Sequence, residues 1–259
     1  MIRIGLCGSP EDAARAKVAG CDYVELNFAK TARMSEAEFA RLIATLEEAG
    51  IRAEALNSFI PAEFRLCKLK GTSELRAYLK QGFERAHSLG AQVVVFGSAG
   101  ARKLPRRVPK AEGWAILAPY CRLAAQLGAQ AGVAVAVEPL CYAECNAVNT
   151  LREGLALARL ADHPNLKLLA DMYHMGENGE EFADIKLAAD ALAHCHIGRP
   201  GGRTWPMPGD GYDYGPFFAA LKSIGYAGRL SIEAAPVNGP EDLAVSVAYL
   251  RELAVSLRD

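Results

Sequence analysis

The chain reads as an α/β protein, a closed (β/α)8 barrel, on three observations. Eight short apolar, strand-like runs alternate with helix-like patterns along 259 residues, close to the roughly 250 of a one-domain α/β barrel. Glycine closes the helical segment before five of these runs, at Gly20, Gly50, Gly90, Gly132 and Gly225, where C′ positions favour it. No composition break or linker divides the chain, so one domain spanning residues 1–259 is expected. An open doubly wound sheet is the alternative. It usually has fewer strands and a glycine-rich phosphate turn, which is missing here.

The elements follow in order. The first strand is Arg3 to Cys7, and its helix starts near Pro10 with Ser9 as N-cap. The second is Tyr23 to Leu26, and Ser35 with Glu38 forms a capping box for the next helix. Arg52 to Leu56 is the third, followed by a helix over Ser73 to Leu89. Gln92 to Phe96 is the fourth, with a long helix over Glu112 to Ala131. Val133 to Val137 is the fifth, and Thr150 to Leu160 is helical. The sixth, Leu166 to Ala170, runs into Asp171, and Glu181 to Ala191 supplies its helix. Leu192 to Ile197 and a helix over Gly215 to Ile224 come next. Arg229 to Glu233 is the eighth strand, and Glu241 to Leu257 is the closing helix.

Composition bounds the function. With 51% hydrophobic residues the chain can bury a large core, and a net charge of −1 argues against a general nucleic-acid or membrane surface. The amino terminus enters a strand directly, so no signal peptide is expected, and no apolar run is long enough to span a bilayer. The seven cysteines form no Cys-x-x-Cys pair; most sit among apolar neighbours, so a reducing cytoplasmic setting is expected. Cys141 and Cys145 share a loop but make a weak zinc signal.

In a barrel, function sits where strands end. Those ends read Glu25, Asn57, Ser98, Glu138, Asp171, His196 and Glu233. Glu138, Asp171, His196 and Glu233 follow apolar runs in the second half and converge on one mouth. Each alone has a bland reading: Asp171 as a helix cap, His174 as a surface residue, a glutamate emerging into solvent. Together, three like charges repel by several kcal/mol unless a cation neutralises them. A divalent metal is therefore expected. Three carboxylates and one nitrogen favour manganese, with magnesium, cobalt or zinc as alternatives. His194 and His196 point to the same side of their strand; His196 is nearer the carboxyl end and is the better ligand, with His194 a hydrogen-bonded core residue. Glu144, Arg199 and Arg203 lie in the surrounding loops as candidates for substrate binding, and the run from Ala101 to Lys110 carries five cations.

These residues carry a resemblance. EPL at Glu138, ECNAVNT from Glu144, HPNLKLLADMYHM ending at Met175, HCHIG at His194 and the stretch from Pro208 to Glu233 resemble the sugar phosphate isomerase/epimerase superfamily. That group has a xylose isomerase-like TIM barrel and includes ketose 3-epimerases, hydroxypyruvate isomerases, inosose dehydratases and apurinic-site endonucleases. The resemblance implies Glu138, Asp171, His196 and Glu233 as metal ligands, and His174 and Glu144 as residues that hold substrate hydroxyls. The ketose epimerase branch places an arginine six residues past the metal histidine; here that position is Gly202, with Arg203 next. The endonuclease branch carries further histidines for three metals, whereas the third and fourth strands here end in Asn57 and Ser98. The expected activity is a metal-dependent isomerase or epimerase acting on a carbohydrate or sugar phosphate. Proton transfer next to a carbonyl would run through an enediolate, with Glu138 and Glu233 as base and acid. An inosose dehydratase-like lyase is the alternative, with an endonuclease or a non-catalytic carbohydrate-binding barrel behind it. Neither a nucleic acid nor a membrane is an expected partner; loops of this size at the mouth leave a homo-oligomer open.

Overall fold

A computed structural model describes residues 1–256. Eight parallel strands pair in sequence order and close, β8 bonding to β1. The strands are β1 (Arg3–Cys7), β2 (Tyr23–Asn27), β3 (Ala53–Asn57), β4 (Val93–Phe96), β5 (Ala134–Val137), β6 (Leu166–Asp171), β7 (Leu192–Ile197) and β8 (Arg229–Ile232). The helices are α1 (Ala13–Val18), α2 (Phe28–Arg33), α3 (Glu36–Ala49), α4 (Ser73–Leu89), α5 (Ala99–Arg102), α6 (Lys110–Gln130), α7 (Leu151–Ala161), α8 (Met172–Asn178), α9 (Gly215–Ser223) and α10 (Asp242–Ser256). No helix among the described residues is long and apolar enough to cross a membrane.

Every expected strand forms, within a residue at either end, because runs such as VVVF and LKLLA are apolar on both faces. The five glycines all adopt left-handed backbone with φ between 63° and 88°, which a Cβ would disfavour. Ser35 accepts from the Glu38 N–H, and the Glu38 carboxylate accepts in return from the Ser35 N–H, so α3 begins at the predicted box.

Two helical expectations need correction, and one short helix is new. Ser9 and Pro10 open a 3-10 turn, Pro10–Asp12, and α1 starts only at Ala13. The short α2 was not expected; Asn27, at the end of β2, caps it by accepting from the Lys30 N–H at 2.8 Å. The predicted helix from Glu181 to Ala191 is instead the 3-10 segment Phe182–Ala188, preceded by α8. Gly179 ends α8 with φ 64°, and a 3-10 helix covers more length per residue on the way to β7. Of the predicted closing helix, Leu257 lies outside the described residues.

Strand alternation sorts side chains into two cores. One lies between strands and helices and includes the aromatic group Phe28, Phe59, Phe83 and Phe96, whose rings meet edge-on at 4.8 to 5.7 Å. The other fills the barrel interior: Tyr23, Ala55, Val93, Val95, Ala136 and Leu169. Tyr23 fits there because Gly5 on β1 has no side chain; a Cβ at Gly5 would lie 2.3 Å from the Tyr23 ring. At the amino-terminal end, Glu54 takes Arg3 at 2.5 Å and Arg229 at 2.8 Å, tying β1, β3 and β8 together. Polar strand-end residues then sit above a dry plug.

The β5–α7 loop is anchored from behind by Glu180, whose Oε1 accepts from the Leu151 N–H at 2.8 Å. Burial pushes the Glu180 carboxyl up from 4.5 to about 7, with Asp184 and Glu153 adding to the rise. The folded state therefore holds more protons than the unfolded one between pH 4.5 and about 7, so this group costs stability as pH rises through that window. Glu180→Gln keeps the accepting oxygen without the charge. Thermal melts at pH 5 and pH 8 should show a smaller pH-dependent drop in the variant; an identical drop would remove Glu180 as its source.

Candidate metal centre

Each residue expected at the mouth arrives with one end used by the fold. Glu138 follows β5; its N–H donates to the Phe96 carbonyl at 3.2 Å, which fixes where its side chain leaves the barrel. The guanidinium of Arg102, wholly buried, bridges the carbonyls of Phe96 and Glu138 at the ends of β4 and β5. Gly97 leaves the space that the Glu138 carboxylate occupies, since a Cβ there would lie 2.2 Å from Oε2. Asp171 ends β6 and caps α8: Oδ1 accepts from the Tyr173 N–H at 2.8 Å and the His174 N–H at 3.4 Å, while Oδ2 stays free. The bland reading of Asp171 as a cap is thus also true, for one of its oxygens. His196 points into the interior with Nε2 2.9 Å from the Glu25 carboxylate. Glu233 follows β8 with its N–H on the Ile197 carbonyl.

The free ends converge. His196 Nδ1 lies 3.3 Å from Glu138 Oε1, 3.4 Å from Glu233 Oε2 and 3.9 Å from Asp171 Oδ2. One ligand atom from each of the four residues lies within 4.8 Å of all the others. Donors about 2.1 Å from one cation stand roughly 3 to 3.4 Å apart, so these spacings approach a coordination shell. Glu138 Oε1, Asp171 Oδ2, His174 Nε2 and His196 Nδ1 are buried without hydrogen-bond partners. Buried polar atoms are rarely left so, and a hard divalent cation satisfies the three acceptors among them together.

Electrostatics agree. Burial and the neighbouring Glu138 raise the Asp171 carboxyl, and the nearby imidazoles only partly offset this. Burial disfavours a charged His196, yet the Glu25 and Glu233 carboxylates hold its pKa well above the usual imidazole value. The carboxylate field thus demands positive charge; a divalent cation would supply it and displace the imidazole proton.

Substrate-binding candidates divide. His174, expected on the bland reading to be a surface residue, is 1% exposed. Its Nδ1 accepts from the Cys141 N–H at 3.1 Å, so Nε2 carries the proton and faces Glu138 at 3.9 Å and Asp171 at 3.7 Å. Arg203 reaches Glu233 at 2.5 Å and Glu144 at 3.1 Å, with its guanidinium 4.8 Å over the Tyr173 ring. Arg199 is not brought in: its guanidinium faces Asp210 at 3.9 Å and the Pro200 carbonyl. His194 is the hydrogen-bonded interior histidine expected, 2.7 Å from Glu25. Trp205 packs against the core and donates to the Ala234 carbonyl.

Glu25, Arg102 and Gly97 were not assigned a role from sequence. Glu25 had a signal, an acid inside an apolar strand; Arg102 was hidden in a basic run, and Gly97 shows its purpose only in three dimensions. Two further groups, Cys7–Glu25–His196 and Cys141–Glu144–His174, also bring three candidate donors together. In the first, Glu25 already receives three hydrogen bonds; in the second, one His174 nitrogen is taken by the backbone.

A (β/α)8 barrel with three carboxylates and an imidazole gathered at its carboxyl-end mouth defines the class: barrels that carry a polar site where their strands end. The chain belongs to the xylose isomerase-like TIM barrel family, whose model matches residues 13–253. It is 37% identical over 110 residues to an L-ribulose 3-epimerase of a Methylomonas species, covering 42% of this chain and 38% of that one. To an L-ribulose 3-epimerase of Mesorhizobium japonicum it is 26% identical over 223 residues, 85% of this chain and 73% of the relative. At identities of 37 to 38% the match spans only about a third of the curated relatives' length, 34 to 38%. A crystal structure of D-psicose 3-epimerase with D-tagatose, from Clostridium cellulolyticum, superposes with TM-score 0.85 at 19% identity, over 98% of this chain and 99% of that one.

Two outcomes test the centre. Manganese at a hundredfold excess over its Kd should add about 2.7 kcal/mol and raise Tm by about 5 to 10 °C, reversed by chelation. An unmoved Tm would refute a specific cation site. Gly97→Ala drives a methyl into the Glu138 carboxylate and should lower turnover roughly 100-fold with circular dichroism unchanged; wild-type turnover would show that Glu138 has room to spare.

Proposed function

We propose that the chain is a divalent-metal-dependent ketose epimerase, working on a free or phosphorylated sugar by proton transfer next to its carbonyl. The observation that carries this is the pair Glu138 and Glu233. They come from strands that are not neighbours and meet the same His196 nitrogen at 3.3 and 3.4 Å, so they flank one small volume from different sides. The names of the relatives, 3-epimerases in each case quoted, support the same chemistry.

The bound cation, held by Glu138, Asp171, His196 and Glu233, would supply Lewis-acid polarisation of a carbonyl and its neighbouring hydroxyl; manganese suits this oxygen-rich donor set. The protein's groups do the rest. One of the two glutamates takes the proton from the carbon flanking the carbonyl, leaving an enediolate. The other, protonated at the start of the step, gives its proton to the opposite face of the same carbon and inverts it, and the first then releases the abstracted proton to water. Arg203 holds the Glu233 carboxylate in place and turns remaining N–H groups toward substrate oxygens. His174 Nε2–H donates into the same volume, while Glu144 on the rim accepts from a hydroxyl. The apolar interior beneath and the Tyr173 ring beside Arg203 limit water around the enediolate.

The test is exchange in deuterated water with manganese present, across ketoses, their phosphates, hydroxypyruvate and inosose. Deuterium should enter at the carbon next to the carbonyl in the epimerised product. Glu138→Gln and Glu233→Gln should each cut turnover by roughly 100- to 10,000-fold. Proton return to the neighbouring carbon would make it an aldose–ketose isomerase, and loss of water a dehydratase. No exchange on any sugar, with metal bound, would defeat the catalytic reading.

A further inference from the structure

Beneath the candidate ligands lies a buried acid that neither the ligand set nor the acid–base pair uses. Glu25 sits within β2, its side chain wholly inaccessible. A bare carboxylate there would be severely unfavourable, and the interior surrounds it with donors. Oε2 accepts from His194 Nε2 at 2.7 Å and from the Ser231 hydroxyl at 2.6 Å; Oε1 takes His196 Nε2 at 2.9 Å. The Ser231 oxygen in turn accepts from the Tyr23 hydroxyl at 2.8 Å. One carboxylate therefore ties β2 to β7 and β8, across an interior in which β2 neighbours neither.

We infer that Glu25 is the positioning residue that makes His196 a metal ligand, a step that rests on the four-residue centre proposed above. An imidazole has two nitrogens, and only a deprotonated one binds a cation. By receiving the Nε2–H, Glu25 assigns the proton to that nitrogen and leaves Nδ1 to coordinate. Nδ1 is the atom that faces Glu138, Asp171 and Glu233 and has no hydrogen-bond partner. The ring is also held against rotation. His194 stands edge-on to it, 5.0 Å between centroids at 82°, and is bonded to the other Glu25 oxygen. Because Oε2 is occupied by His194 and Ser231, the carboxylate cannot swing away without breaking two bonds. Such outer carboxylates raise the basicity of the ligating nitrogen as well as aiming it.

Cobalt(II) titration followed by its visible absorption measures this without turnover. Wild-type protein should bind cobalt with a five- or six-coordinate spectrum. Glu25→Gln, matched in shape, should weaken cobalt binding roughly 10- to 100-fold, with far-ultraviolet circular dichroism retained. Ser231→Ala removes one of the three bonds and should weaken it less, by a few-fold. Cobalt affinity within twofold of wild type in a folded Glu25→Gln protein overturns the inference and leaves the metal centre standing. Should Glu25→Gln fail to fold, Ser231→Ala and Tyr23→Phe decide: reduced cobalt affinity supports the role, unchanged affinity in both overturns it. Failure of wild-type protein to bind cobalt removes the centre itself, and the inference with it.

Discussion

Glu138, Asp171, His196 and Glu233 bring three carboxylates and one imidazole to within 4.8 Å at the mouth of a closed barrel. Each pair of like charges about 4 Å apart repels by roughly 4 kcal/mol at an effective dielectric of 20, and the other features of the mouth answer that repulsion. Arg203 neutralises part of it from above. At Asp171 and His196 the fold consumes one polar atom of the side chain and leaves the other facing the mouth. Asp171 gives Oδ1 to the start of α8 and keeps Oδ2. His196 gives Nε2 to Glu25 and keeps Nδ1. Glu138 is set by a backbone bond, by the bridge of Arg102 and by the missing side chain at Gly97.

Such an arrangement works only on a rigid, dry base. The interior cluster of Tyr23, Ala55, Val93, Val95, Ala136 and Leu169 supplies it, excluding water from below the polar layer. Low polarity there strengthens every hydrogen bond to Glu25 and makes an unpaired partner costly. That is a physical reason for a hydroxyl chain, Tyr23 to Ser231 to Glu25, to lie beneath the histidines rather than an isolated acid. Gly5 belongs to the same design, since it admits the Tyr23 ring that starts the chain.

The barrel was legible because its signals are local. A run such as VVVF or LKLLA declares a buried strand within a few residues, and Gly50 or Gly90 declares a helix end by its own backbone freedom. The four converging side chains were legible for a related reason: period-two alternation along a strand, plus the rule that barrel sites lie at strand ends. What failed depended on distance in sequence. The segment after α8 is a 3-10 helix on the way to β7, a form that its own periodicity does not announce. Glu25 reads as one acid in YVELN until His194, His196 and Ser231, over 160 residues away, surround it. Gly97 looks like any loop glycine until the Glu138 carboxylate is seen to fill its place.

Arg203 shows how position in space outranks position in sequence. Counting six residues past His196 gives Gly202, and by that count the arginine is lost. Arg203, one position further on, reaches the mouth instead. Arg199 and Thr204 pair across a tight turn, Gly201 takes φ 79°, and Arg203 itself is left-handed at φ 46°. Left-handed backbone is uncommon at a residue with a Cβ, and here it accompanies anchoring on both sides, Arg203 N–H on the Arg199 carbonyl and its carbonyl receiving the Ala235 N–H. The turn aims the guanidinium back at Glu233 and Glu144. A second arginine in the same loop, Arg199, has equal charge but faces Asp210 instead. Backbone path, more than residue type or count, therefore decides which cation serves the mouth.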